Sequence, residues 1–557
     1  MWWNSDAKSS KAWTETPLPT KTLMKKTNLI CASLFLMMSV VMAEESRKPN
    51  ILVILTDDLG YSDLGCYGSE IDTPNLNRLA AKGLRFSQFY NTAKCHSSRV
   101  SLLTGRWCHQ AGDIGMKRAV TIPEILRPAG YSTLMCGKWH LQNEPTDFGF
   151  DRFFGHLSGS TYYYKGDATF RLNGSAWKVP NSGFYTTVAK VDHALGFLNE
   201  ARESKKPWFL YMAFNAPHAP LQPLKEDYEK YLGRYDVGWD AIRAQRFEKQ
   251  QELGLFPRTT QASPRPSSIP AWSEISADRK SWEARRMTAL AAMIDRVDQE
   301  IGRLLADIEA RGELDHTLIL FFSDNGACPY DRKSYGMDRK PYEPGANWSD
   351  STAWAWARNS PFRFYKQNQH EGGIATPAIV HWPAGLKTQP GTIVHQAAHL
   401  VDVLPTLAEV AGAEIPTTFP GRSPSPLAGI SLTPIFDGAP PTSRPPIHLH
   451  FNTDRGLRDG DWKIVSFREN PWELYNIAED RTEIRNLAKT HPEIVSRLAA
   501  RWHDMATHIL QLPEAQRGPV KQKQGPDTHP EWTHFRKPLK PSTSGKPTPQ
   551  GRQESAK

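Results

Sequence analysis

Apolar residues along this chain gather in a few continuous runs set between longer stretches of mixed polarity. Asn50 to Thr56 (NILVILT), Trp208 to Phe214 (WFLYMAF) and Thr317 to Ser323 (TLILFFS) show no alternation of polar and apolar positions. Strands covered on both faces read this way, whereas half-exposed strands alternate. Helical spacing predicts helices at Thr73 to Lys82, where Thr73 can cap and Pro74 suits the first turn, at 192–203, and at 283–312, closed by Gly312. Strands alternating with helices predict an α/β fold: a large mixed, mainly parallel sheet sandwiched by helices. From about Ile415 the composition shifts to Pro, Gly and Ser, then returns to strand-like pieces at 447–451 and 462–467, which predicts a smaller C-terminal α+β region. The stretch between His218 and the long helix, with its run LFPRTTQASPRPSSIPAW, reads as a surface insertion.

The two ends alter this picture. Residues 24–43, MKKTNLICASLFLMMSVVMA, combine two lysines, an apolar run and a small residue at the end, with Val41 and Ala43 at the positions a signal peptidase reads, the pattern of a secretory signal peptide rather than a membrane span. Residues 1–23 then read as an upstream extension ahead of a start at Met24. Export to a periplasmic or extracellular compartment would leave Cys66, Cys95, Cys108, Cys136 and Cys328, with no CxxC spacing and no pairing deducible from sequence. The expected organisation is a catalytic domain over 48–414, a smaller subdomain over 415–510 and a basic tail over 511–557. The Pro-, Lys- and Gln-rich tail carries +5 of the formal net charge of +9, which reads first as a solvated extension and second as attachment to a sulfated or otherwise anionic polymer, and not as a nucleic-acid partner.

Candidate chemistry sits where the apolar runs stop. Asp57 and Asp58 follow the first run, and Asp324 and Asn325 follow the third in SDNG. Open α/β sheets place ligand sites beyond the carboxyl ends of their strands, so these distant pairs can converge. Three carboxylates and an amide oxygen form a hard-oxygen donor set, suited to calcium and, second, to magnesium. A cysteine, a serine and an arginine lie close together in CHSSRVSLLTGR, residues 95–106. Further on come GKWH at 137–140, His218 in NAPHAP, and Lys366 in KQNQHEGG.

These segments, in this order, resemble the motifs of type I sulfatases, and the resemblance runs from about Asn50 to about Leu487. It implies an alkaline phosphatase-like fold and hydrolysis of an aryl or carbohydrate sulfate to alcohol and inorganic sulfate. It further implies that Cys95 is oxidised to formylglycine by a formylglycine-generating enzyme, and that the aldehyde hydrate is the nucleophile. Asp57, Asp58, Asp324 and Asn325 would bind one calcium ion together with an oxygen of modified Cys95. Arg99 would hold the nucleophile ionised, Lys138 and Lys366 would meet the sulfate, His218 would protonate the departing alcohol, and His140 would take a proton to release sulfate. The family usually carries proline or alanine two residues after the cysteine; here the residue is Ser97. Two other readings stand beside this one: a phosphonate or phosphate ester hydrolase of the same superfamily, and a silent homologue that binds sulfated glycans with Cys95 unmodified. For the latter, Trp354 and Trp356 near Lys366 are candidates for sugar stacking or, more simply, for the core.

Overall fold

The computed structural model describes residues 48–513 apart from 332, 333, 335 and 440–442. The expected upstream extension, the signal segment and the tail beyond Pro513 lie outside the described residues. No helix among the described residues is long and apolar enough to cross a membrane.

The apolar runs become adjacent strands at the centre of one large sheet. In chain order its strands are β1 (Asn50–Asp57), β2 (Leu84–Phe86), β3 (Ser132–Lys138), β4 (Arg152–His156), β5 (Phe170–Leu172), β6 (Ser175–Ala176), β7 (Trp208–Pro217), β8 (Thr317–Ser323), β9 (Ala378–His381) and β10 (Ile393–Val394). They lie side by side in the order β10-β2-β9-β8-β1-β7-β3-β4-β5-β6. The central block from β8 to β4 is parallel. β9 runs antiparallel to both of its neighbours, and β5 and β6 form an antiparallel edge. The sheet is thus mixed and mainly parallel.

β1 shows why a central strand reads as a continuous apolar run. Leu52 and Ile54 pack into one hydrophobic cluster, and Ile51, Val53 and Leu55 into another on the opposite face. The first cluster takes in the buried faces of α1 (Pro74–Lys82), α3 (Thr186–Glu203) and α5 (Ala277–Ala310); the second takes in α2 (Cys95–Thr104) and α7 (Val403–Ala411). Each fully buried leucine or isoleucine contributes about 1.5–3 kcal/mol, so the sheet is clamped from both sides. The helix expected at 192–203 begins earlier, at Thr186, because buried Thr186, Thr187 and Lys190 tuck its first turn into the core. The long helix begins at Ala277, capped by the Ser276 side chain.

The stretch after His218 is not a loose surface insertion. It contains α4 (Gly238–Glu252), which buries Trp239, Ile242, Arg243 and Arg246. Arg246 bonds Asp63 and Glu70, and Arg243 donates to the carbonyls of Pro361 and Trp356. Charged residues here cross-link segments instead of facing water, and sequence composition could not distinguish the two. Trp354 and Trp356, in α6 (Thr352–Arg358), are buried core residues.

A four-stranded antiparallel sheet, β11 (Ile447–Phe451), β12 (Asp454–Asp459), β13 (Trp462–Ser466) and β14 (Glu473–Asn476), follows, with α8 (Pro492–Asp504) packed against it. Among the described residues, those from Pro49 to Pro513 form one compact unit. Cys66, Cys95, Cys108, Cys136 and Cys328 are all free thiols.

Candidate active site

Because β1, β3, β7 and β8 are parallel, their carboxyl ends share one edge of the sheet, and the candidate residues arrive there from separate parts of the sequence. Asp57 ends β1 and Asp58 follows it; Lys138 ends β3, with His140 just beyond; His218 follows β7; Asp324 and Asn325 follow β8. The β1 and β8 ends are tied together: Asp324 N–H donates to the Thr56 carbonyl, and Leu59 N–H to Ser323 Oγ at 3.2 Å. Gly137 makes the packing of β3 on β7 possible, since a Cβ at this position, φ +131°, would lie 1.8 Å from the Ala213 carbonyl oxygen.

Asp58 and His140 have left-handed backbone, φ 66° and 59°, a conformation uncommon for residues other than glycine, though Asp and His adopt it more readily than most. For Asp58 the surroundings are visible. Arg358 donates to its carbonyl at 2.6 Å, and Asn325 Nδ2 and Lys366 Nζ each donate to its Oδ1 at 2.6 Å. Arg358 is itself anchored on Asp63 at 2.8 Å. Sequence reasoning missed Arg358, which carries no motif and reaches the site only through the tertiary fold.

Cys95 is the first residue of α2 and only 2% exposed. A helix N-terminus favours negative charge. Burial opposes the Cys95 thiolate, but Lys138, Lys366 and Lys94 outweigh it and bring the thiol down to about 7. Arg99, one helical turn on, donates to Asp324 Oδ2 at 2.8 Å and to the Lys138 carbonyl at 2.9 Å, and lies 3.9 Å from Asp57 Oδ2. Lys138, fully buried, donates to Asp57 Oδ2. Ser97 is buried in the first turn of α2, its hydroxyl against the Cys108 thiol.

All ten candidates therefore join one connected set. Cys95, His96 and His140 bring their ligand atoms within 4.8 Å of one another, as do Asp57, Asp58 and His218. Burial, Lys138 and Arg99 hold His140 well below the usual imidazole range, and burial lowers His218 against the pull of Asp58 and Asp57. His218 Nδ1 faces the Ala219 carbonyl at 2.6 Å, which leaves Nε2, 3.6 Å from Asp58 Oδ2, as the nitrogen turned to the site. His96 and Lys94 were also missed as candidates, although both adjoin Cys95 in the sequence.

One oxygen on each of four groups stands out. Asp57 Oδ1, Asp58 Oδ2, Asp324 Oδ1 and Asn325 Oδ1 are buried without a hydrogen-bond partner among the described residues. Buried polar atoms are otherwise nearly always partnered, and an unpaired buried carboxylate is costly. Burial and neighbouring Asp57 hold Asp324 well above the ordinary carboxylate range despite Arg99. Hard oxygen donors, crowded and unsatisfied, fit a divalent cation.

The chain matches the family model described as Sulfatase over residues 49–413, and that described as N-sulphoglucosamine sulphohydrolase, C-terminal, over 362–508. It is 33% identical to an uncharacterised sulfatase of Schizosaccharomyces pombe over 431 residues, which is 67% of this chain and 76% of the relative. It is 30% identical to the arylsulfatase of Klebsiella aerogenes over 437 residues, 71% of this chain and 93% of that enzyme. Among solved structures it is similar to Ps i-CgsB in complex with k-i-k-neocarrahexaose, with a TM-score of 0.61 and 26% identity over 84% of this chain and 94% of that one. The chain belongs to the type I sulfatases of the alkaline phosphatase superfamily and is a sulfuric ester hydrolase.

Proposed function

We propose that this sulfatase acts outside the cytosol on a sulfated carbohydrate, with Cys95 converted to formylglycine and one calcium ion held by Asp57, Asp58, Asp324 and Asn325. The observation that carries the reading is the set of four unpartnered buried oxygens beside a cysteine at a helix N-terminus. The formylglycine hydrate supplies a nucleophilic oxygen, and the cation lowers the cost of ionising it and neutralises charge on the sulfate.

The remaining steps belong to the chain's own side chains. Arg99, fixed by Asp324 and the Lys138 carbonyl, presents a guanidinium that favours an anion at position 95. Lys138 and Lys366, oriented by Asp57 and Asp58, bind sulfate oxygens and balance the charge that builds on them. For the bond between sulfur and the alcohol oxygen to break with proton transfer, His218 must enter the step as an imidazolium, its Nδ1–H held by the Ala219 carbonyl and its charge supported by Asp58 Oδ2 3.6 Å from Nε2; it then delivers the Nε2 proton to that oxygen and is left neutral. His140, whose Nδ1 has no hydrogen-bond partner among the described residues, takes up the proton that release of inorganic sulfate requires. A carbohydrate is favoured over a simple aryl sulfate by the likeness to Ps i-CgsB, which is held there in complex with the oligosaccharide k-i-k-neocarrahexaose. No observation favours phosphonate or phosphate ester hydrolysis or a silent glycan-binding role.

The test is mass spectrometry of the tryptic peptide Cys95 to Arg99 from protein made in a host that matures sulfatases, with parallel assays on sulfate and phosphate esters. Formylglycine with sulfate release is expected. An intact thiol in active enzyme would exclude the proposed nucleophile.

A further inference from the structure

Four side-chain cations act at Cys95, and they are not equivalent. Arg99 is bonded to Asp324, Lys138 to Asp57 and Lys366 to Asp58. Lys94, the residue before Cys95, has no ion pair among the described residues. It is half-buried, and its ammonium lies 5.7 Å from the centroid of the Phe451 ring. Phe451 ends β11 of the C-terminal sheet, and its ring is 5.9 Å from that of His96, which in turn is 5.6 Å from His140. Lys94, His96 and Phe451 thus form a wall continuous with the site through His140.

The charges make this wall informative. Asp57, Asp58 and Asp324 are balanced by Arg99, Lys138 and Lys366. A bound divalent cation adds two positive charges, which an ionised nucleophile and one sulfate monoester neutralise. Lys94 is left over. An aromatic face can hold an ammonium in place without neutralising it, and a partly desolvated charge gains most from an anionic partner.

We propose that the substrate is a sugar carrying a second anionic group beside the scissile sulfate, a further sulfate or a uronate carboxylate, and that Lys94, positioned by Phe451, binds that group. The inference rests on the sulfate-ester reading above and names its substrate class. Phe451 is a positioning residue that acts through Lys94.

The test uses calcium-loaded protein and sugars matched except for the second anion: glucosamine 6-O-sulfate against glucosamine 2-N,6-O-disulfate, and a 6-O-sulfated hexosamine with and without an adjoining uronate. A simple aryl sulfate serves as reference. Turnover is measured on the mature enzyme, and dissociation constants by calorimetry on the Cys95→Ala variant. In at least one pair the doubly charged member should be preferred about tenfold or more in both kcat/KM and Kd. Lys94→Ala should cut that ratio about tenfold, Lys94→Glu should reverse it, Lys94→Arg should keep most of it, and Phe451→Ala should reduce it less than Lys94→Ala. The responding pair tells sulfate from carboxylate. If Lys94→Ala weakens both members alike, or the wild type shows no preference while still cleaving the aryl sulfate, the second-anion site is wrong and the sulfatase reading stands. If formylglycine-bearing enzyme cleaves no sulfate ester at all, both fall.

Discussion

Two regions of this molecule bury dense clusters of charge, and they treat their carboxylates differently. At the junction with the C-terminal sheet, both oxygens of Glu371 are occupied: Oε1 by Lys463 at 2.9 Å, Oε2 by Arg481 at 2.9 Å and by the Tyr90 hydroxyl at 3.0 Å. Lys463 reaches Glu483 as well, at 2.7 Å, and Glu483 accepts the Glu371 backbone N–H. At the carboxyl edge of the parallel sheet, Asp57, Asp58 and Asp324 each bond a cation with one oxygen and leave the other without a hydrogen bond among the described residues. The first region closes on itself and joins two sheets. The second is built to be completed by something from outside.

The comparison can be broken from either side. The largest effect is expected at the nucleophile: Cys95→Ala should lower turnover of any sulfate ester by about 10⁴-fold or more, while a thermal melt shows the fold intact. Next is Lys463→Met, which leaves Glu371 and Glu483 buried without their shared cation. About 3–5 kcal/mol of stability should be lost in denaturant unfolding, and a loss below 1 kcal/mol would mean that the junction is not the closed network its distances describe. Chelation should act on the open region only. Removing the cation should abolish activity and lower stability by about 2.7 kcal/mol for a site filled at a hundred times its Kd, with calcium restoring both.

The smallest effect concerns pH. His448 is buried against Trp502, ring centroids 5.1 Å apart, and burial pushes it down to about 3. Folded, it stays neutral; unfolded, it takes a proton below about 6.5. The unfolded state therefore binds more protons, and stability falls as pH drops from 6.5 towards 3, by about 1.4 kcal/mol per pH unit for this one group. His448→Phe keeps an aromatic ring beside Trp502 and should remove that slope. Unfolding free energies at pH 7, 6 and 5 on both proteins decide the matter, and parallel slopes would exclude His448 as its source.

Much of the site was legible because it lies at the ends of elements with strong patterns. The runs 50–56, 208–214 and 317–323 announce strands covered on both faces, and chemistry at the ends of such strands has a single edge on which to meet. The C-terminal strands expected at 447–451 and 462–467 form as Ile447–Phe451 and Trp462–Ser466. The helix α4 was not, because its buried arginines read as surface charge until Asp63, Glu70 and the Pro361 carbonyl are placed beside them.

The sequence by itself determined the fold class and the central strands, because period and spacing are local properties and survive without a partner, while the ten candidate site residues came from the resemblance of its motifs to those of type I sulfatases. Only the tertiary structure decided which oxygens were left unsatisfied, that Arg358 locks the backbone of Asp58, and that Phe451 from the C-terminal sheet lies under Lys94. Those are statements about contacts between residues hundreds of positions apart, and no local pattern encodes them. Hydrogen-bond satisfaction in particular belongs to a pair of groups, so it exists only once the chain has brought both together.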